Sequence, residues 1–327
     1  MWFLRPPCGS IDVNPRGSTR RSVLVSLAGD CAETLALGVT AWLTGSVALR
    51  AQTAASAAAV AVEVFLLIGV LSSARSPDET HPLGYGREGF YWSLFAALGI
   101  FIGGGGLALE QAVDSALHPS PVGNYLIAYL VLAATIVMEA FALLVAVIPL
   151  RRQADNRGIS LWAHLLHSTD PALTTVALSG GCAVIGGAVA AIGLAVSQVT
   201  GSPRPDTVAS ALIGVLLLLT SVFLLRTNRQ LLSGRGVPLP MLSEMRRIIA
   251  SQPGVIDVPD LFAVVIGPSS LIVDGDVTFA DDLDVPAVEQ TIMRSAAALR
   301  ERWPSIEYVY LTPVSQARLR RAARLSP

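Results

Sequence analysis

The chain contains no lysine, so each of its 23 basic side chains is an arginine. Charge of either sign is scarce, with 14% charged residues against 52% hydrophobic ones; an ordinary soluble protein has about a quarter charged. A formal net charge of −1 leaves no excess of positive charge for a phosphate backbone, which argues against nucleic-acid binding as the main role. Cysteine is nearly absent. Cys8, Cys31 and Cys182 are odd in number and far apart, and two of them fall in apolar runs, so no disulfide framework is expected. No nucleophile, base and orienting residue recur at matched spacing, which excludes the usual hydrolase and oxidoreductase arrangements. We therefore expect no enzyme and no cofactor. The first apolar run starts only after Arg20-Arg21 and is long enough to remain as a span, unlike a signal peptide.

What is present is apolar length. A helix needs about 20 mainly apolar residues to cross a hydrocarbon core roughly 30 Å thick. Six stretches qualify: residues 22–45, 51–73, 90–112, 124–150, 171–197 and 207–227. The arginines fix an orientation, because positive residues concentrate in short cytoplasmic loops. Arg5, Arg16, Arg20 and Arg21 precede the first span, Arg75 and Arg87 lie between the second and third, Arg151, Arg152 and Arg157 follow the fourth, and Arg226, Arg229 and Arg235 follow the sixth. The opposite side has only Arg50 and Arg204. Both termini are expected in the cytoplasm. The arginine-only, alanine-rich composition points to a bacterial plasma membrane.

From about Pro238 the composition becomes that of a small soluble domain. Leu242 to Ser251 reads as an amphipathic helix stopped by Pro253-Gly254. Residues 261–266 and 271–277 read as two strands joined by a Gly-Pro-Ser-Ser turn. Val285 to Trp303 reads as a second helix, and Ile306 to Leu311 as a third strand. The expected fold is an all-α membrane bundle of six transmembrane helices plus a small α+β domain in αββαβ order. Its parts are a cytoplasmic tail 1–21, a six-span domain 22–232, the αββαβ domain 238–314 and a basic tail 315–327 that stays solvated or touches anionic lipid.

Specific motifs sit between Thr44 and Trp92. Thr44-Gly45-Ser46 opens that stretch, Ala48-Leu49-Arg50-Ala51 leads into the second span, and His81-Pro82-Leu83-Gly84-Tyr85-Gly86-Arg87-Glu88 closes it. These residues resemble the cation diffusion facilitator family, whose second span reads like TGS-x-ALLAEA-x-HSLAD and is followed by HPFGYGRE. Around the fifth span, His167-Ser168-Thr169-Asp170-Pro171 and the run from Val176 to Ala183 resemble a subgroup reading KDP, then VLLEDSAAL. Asp206 in Arg204-Pro205-Asp206-Thr207-Val208-Ala209-Ser210 supports this register, since the subgroup has WDAVAS at the start of span six. The resemblance covers about nine-tenths of the chain. It implies proton-coupled efflux of a divalent metal cation such as zinc, a metallochaperone-like cytoplasmic domain, and a homodimer or a heterodimer with a paralogue in membrane lipid.

A buried Zn²⁺ wants about four N, O or S ligands in tetrahedral geometry at about 2.0–2.3 Å. The family supplies them from spans two and five, at i and i+4 on facing helices. The resemblance places the second-span pair at Ala55 and Ala59 and the fifth-span pair at Gly180 and Val184, none of which has a side-chain donor. The acid just before the second-span site is replaced by Gln52. Ser56, Ser179 and Cys182 are weak substitutes. His164, His167 and Asp170 precede the fifth span, with Pro171 starting it, and read as residues of the cytoplasmic mouth or as a loose ligand cluster.

Acids remain elsewhere: Asp30 and Glu33 in span one, Glu63 in span two, Glu110 in span three and Glu139 in span four. Intramembrane charges are costly and face a cavity or a partner. At about 1.5 Å per residue, Glu33, Glu63 and Glu139 all lie about 15–17 Å from the inner face. Three carboxyls at one depth are expected to take protons, a metal ion or both, or else to be protonated and hydrogen-bonded to nearby Ser or Thr. Three functions follow: a divalent cation transporter, a transporter of another cation through this relocated acidic site, or a non-transporting structural or regulatory partner of an active paralogue. In the soluble domain, Asp281, Asp282 and Asp284 read as a helix cap. Arg87 and Glu88 read as partners of that domain or of a neighbouring subunit, or as a solvated loop.

Overall fold

The structure, a computed structural model, describes residues 15–44, 47–118, 125–157, 160–162, 165, 168–268 and 270–315. Among these residues, six helical segments are long and apolar enough to cross a membrane. The first two are α1 (Pro15–Thr44) and α2 (Val47–Ser73). The third span is composite: α3 (Gly86–Gly99), a π-helical segment Ile100–Gly106 and α4 (Leu107–Leu117). The last three are α5 (Tyr125–Arg157), α6 (Pro171–Thr200) and α7 (Arg204–Leu232). All six expected spans are present. Several helices outrun their apolar stretches, because polar residues at the ends continue the helix beyond the hydrocarbon boundary.

The π segment was not foreseen from hydropathy. It contains Gly103 to Gly106, and the Leu107 N–H reaches back to the Ile102 carbonyl, five residues earlier. Glycine holds the ordinary helical turn weakly, and the run lets two neighbours come close. A β-carbon added at Gly99 would lie 2.7 Å from Val62 Cγ2, and one at Gly103 would lie 3.0 Å from Ala58 Cβ, both on the second span. On the other side, a β-carbon at Gly105 would lie 2.6 Å from Leu218 Cδ2 and 3.1 Å from the Leu218 backbone nitrogen, in the sixth span. Small residues thus let the helices approach closely at span three. Span five uses Gly187 against Ile136 of span four and Gly193 against Ala209 of span six in the same way.

Contacts divide the chain into two compact units, of which the first holds most of the membrane helices. The second holds Ser72–Leu94, Thr169–Pro171 and the chain from Leu225 onward. Its α+β part consists of α8 (Leu239–Ala250), β1 (Val255–Asp257), β2 (Leu261–Gly267), β3 (Ser270–Phe279), α9 (Val285–Arg302) and β4 (Ile306–Pro313). β3 is central, pairing antiparallel with β1 and β2 and parallel with β4. The expected αββαβ order thus gains one short strand. β1 has three residues and an irregular register, too little for alternation to show in the sequence. Asp284 caps α9, its carboxylate accepting from the Ala287 N–H at 3.0 Å.

The core of this unit joins Met245 and Ile249 of α8, Val273 and Val277 of β3 and Leu299 of α9. Phe90, at the foot of span three, and Leu231, at the end of span six, are fully buried in the same cluster. The segment after span two also packs there. A β-carbon on Gly86 would lie 2.7 Å from the Gly267 Cα at the β2–β3 turn, and the Tyr308 hydroxyl stands 3.5 Å from the Pro82 carbonyl. Phe90, the Gly86 backbone and Tyr308 thus make contacts of this segment with the domain, while Glu88 accepts from Trp92 Nε1 at 2.9 Å.

Candidate cation site in the membrane helices

Ala55, Ala59, Gly180 and Val184, the positions that the resemblance marks for metal ligands, have no side-chain donor. Ala59 is exposed on α2 and Val184 is half-buried on α6. Gly180 is filled from the side by span four: a β-carbon there would meet Leu143 at 3.5 Å. The weak donors nearby are engaged, Ser179 with the Val176 carbonyl at 3.3 Å and Cys182 Sγ with Thr220 Oγ1 at 3.0 Å. The side chains of Gln52 and Ala55, and residues His164 and His167, lie outside what is described. Asp170 is buried just before the Pro171 that begins α6.

Carboxyls gather one turn along from the vacant second-span positions. Ala55, Ala59 and Glu63 follow one another at i+4, which puts them along one stripe of α2. Glu63 is 4% exposed. Its Oε1 accepts from Ser26 Oγ of span one at 2.9 Å, whereas its Oε2 has no partner among the described residues. Ser26, Asp30 and Glu33 share a face of α1 by the same helical spacing. Span four packs against α1 there. Ser22 Oγ donates to the Val145 carbonyl at 3.2 Å, Gly29 stands beside Met138, and Thr135 Oγ1 donates to Glu33 Oε1 at 3.4 Å. Thr135 and Glu139 are again one turn apart.

Glu33, Glu63 and Glu139 therefore belong to one region, together with Asp30. Glu63 and Glu139 both feel the charge of Asp30, Asp30 and Glu139 feel that of Glu33, and Glu63 feels that of Glu139. Sequence reasoning noted Asp30 but left it out of the set, because it lies about one turn, roughly 5 Å, shallower than the others. A side chain spans that difference, and the i, i+4 spacing from Ser26 was the available signal. Glu110 is exposed. No three His, Cys, Asp or Glu side chains among the described residues converge closely enough to enclose a bare metal ion.

The match to known proteins decides the family. The model of the cation efflux transmembrane domain covers residues 23–233. The chain belongs to the cation diffusion facilitator family. It is 32% identical over 240 residues to the mitochondrial proton-coupled zinc antiporter of Homo sapiens, an alignment covering 73% of this chain and 42% of that protein. The Xenopus laevis protein of the same name is also 32% identical, over 73% of this chain and 43% of its own length. Metal tolerance protein C4 of Arabidopsis thaliana is 30% identical over 293 residues, which are 90% of this chain and 63% of that one. The chain thus spans less than half the length of the human and Xenopus proteins, 42% and 43%.

Proposed function

We propose that this protein transports a divalent metal cation across a membrane, outward and in exchange for protons. The single observation behind this reading is the family's six-span domain, matched over residues 23–233, with its helices intact and carboxyls retained inside. The names of its relatives, a proton-coupled zinc antiporter and a metal tolerance protein, support metal as cargo and protons as the counter-ion. The arginine distribution supports cytoplasmic termini, and the composition supports a bacterial plasma membrane. A second copy, or a paralogue, is the partner we expect. The outer face of the sheet, where Phe262, Asp274 and Tyr310 stand in register with Phe262 and Tyr310 exposed, is a surface free to receive it.

A second reading has a specific observation in its favour. Ala55, Ala59, Gly180 and Val184 leave the family's metal position without donors, as in a non-transporting regulatory partner of an active paralogue. Flux into proteoliposomes separates the two. Zn²⁺, Mn²⁺, Fe²⁺ and Co²⁺ are offered in turn under an imposed proton gradient. Proton-dependent uptake of any one supports transport, and flat traces beside an active family control favour the partner role.

A further inference from the structure

Resting on the transport reading, we propose that the cargo is a hard, oxygen-seeking divalent cation such as Mn²⁺, held partly hydrated among Asp30, Glu33, Glu63 and Glu139 rather than at the family's usual position. The donor set carries the choice of ion. The side chains linked to one another in the region, four carboxyls with the hydroxyls of Ser26 and Thr135, all offer oxygen. Zn²⁺ favours nitrogen and sulfur and a closed tetrahedron, whereas Mg²⁺, Ca²⁺ and Mn²⁺ favour carboxylate, carbonyl and water.

Spacing points the same way. The carboxyls are near enough to interact but do not close around a point, which defeats a dehydrated Zn²⁺ shell. A small hard ion commonly keeps several waters and is bound through one or two carboxylates, and a dispersed set suits it. Glu63 supplies the independent sign of a ligand. It is buried, its Oε1 is held by Ser26, and its Oε2 is left without a partner while Asp30 and Glu139 stand within charge range. Among the described residues no arginine pairs with any of the four acids, so the neutralising charge must come from a bound cation or from protons. The two therefore compete for the same oxygens, as exchange requires, with Asp30 and Glu33 supplied by span one, Glu63 by span two and Glu139 by span four.

Binding can be read without transport. The purified full chain in detergent is titrated with Mn²⁺ while the free ion is followed by electron paramagnetic resonance, and with Zn²⁺ in competition. We expect about one site per chain, weakened by lowering the pH and by excess Mg²⁺, and only partly displaced by equimolar Zn²⁺. The paired change Asp30→Asn with Glu63→Gln is expected to weaken it about ten- to hundredfold. Glu110→Gln should leave it unchanged. Should the paired variant fail to fold, Glu139→Gln alone is read in its place. Zn²⁺ displacing Mn²⁺ stoichiometrically, no Mn²⁺ binding, or binding untouched by the variants each overturns the proposal. Binding that the variants weaken, without flux of any metal, keeps the site and removes the transport reading; flux with binding indifferent to the variants does the reverse.

Discussion

Asp78 orders the loop between spans two and three. Its carboxylate accepts from the Tyr85 hydroxyl at 2.7 Å, the Thr80 hydroxyl at 2.7 Å and the backbone N–H groups of Thr80 and His81 at 2.9 and 2.8 Å. Arg75 lies over the Tyr85 ring, 4.6 Å from its centroid. Donation by Tyr85 first, and then by Thr80 and His81, holds the Asp78 carboxyl well below its ordinary range. A depressed carboxylate stabilises the fold above its unfolded value, about pH 3.9, and that stabilisation is lost as pH falls through the folded value. We expect amide exchange at Thr80 and His81, corrected for intrinsic rates, to stay slow down to about pH 4 and to rise below it. Asp78→Ala should make it fast already at pH 7; equal protection in the variant would contradict this role. At this scale the sequence revealed the loop motif and the depth of Glu33, Glu63 and Glu139. Asp30 was hidden because depth along separate helices says nothing of how those helices turn toward one another.

The π segment is the element that the sequence least foretold, although its four glycines were in view. Apolar periodicity finds a span but does not register whether its backbone repeats every four or every five residues. The consequence is a sharp difference between two glycines. At Gly105 an added methyl would meet both the side chain and the backbone of Leu218, whereas at Gly181 nothing lies within 4 Å. We expect Gly105→Ala to cost about 1–3 kcal/mol by overpacking and to lower the thermal midpoint in detergent. Gly181→Ala should hold or raise it, by up to about 1 kcal/mol of helix preference. Similar midpoints for both would mean that span three has slack beside span six. The soluble domain was more legible, since alternation and turn residues located β2, β3 and β4 within a few positions, and only the short β1 escaped.

Across the whole molecule, the second compact unit takes in more than the chain after Pro238. Phe90 and Leu231 lie in the core of the soluble unit, and residues 72–94 are counted with it. Composition marks where apolar runs stop, but not which loops fold into a neighbouring domain. In the proposed orientation Ser76 lies on the cytoplasmic side and His118 on the other. In a cysteine-free background, Ser76→Cys should react with an impermeant thiol reagent only after cells are opened, and His118→Cys should react in intact cells. The reverse pattern would invert the orientation.

Transport itself is tested most directly by Mn²⁺ uptake into vesicles holding the full chain, with and without an imposed proton gradient, in the native protein and in Glu63→Gln. We predict gradient-dependent uptake by the native protein and loss of most of it in the variant. Uptake absent from both, beside an active member of the family, would contradict the account and leave a protein that keeps the transporter's frame without its cargo.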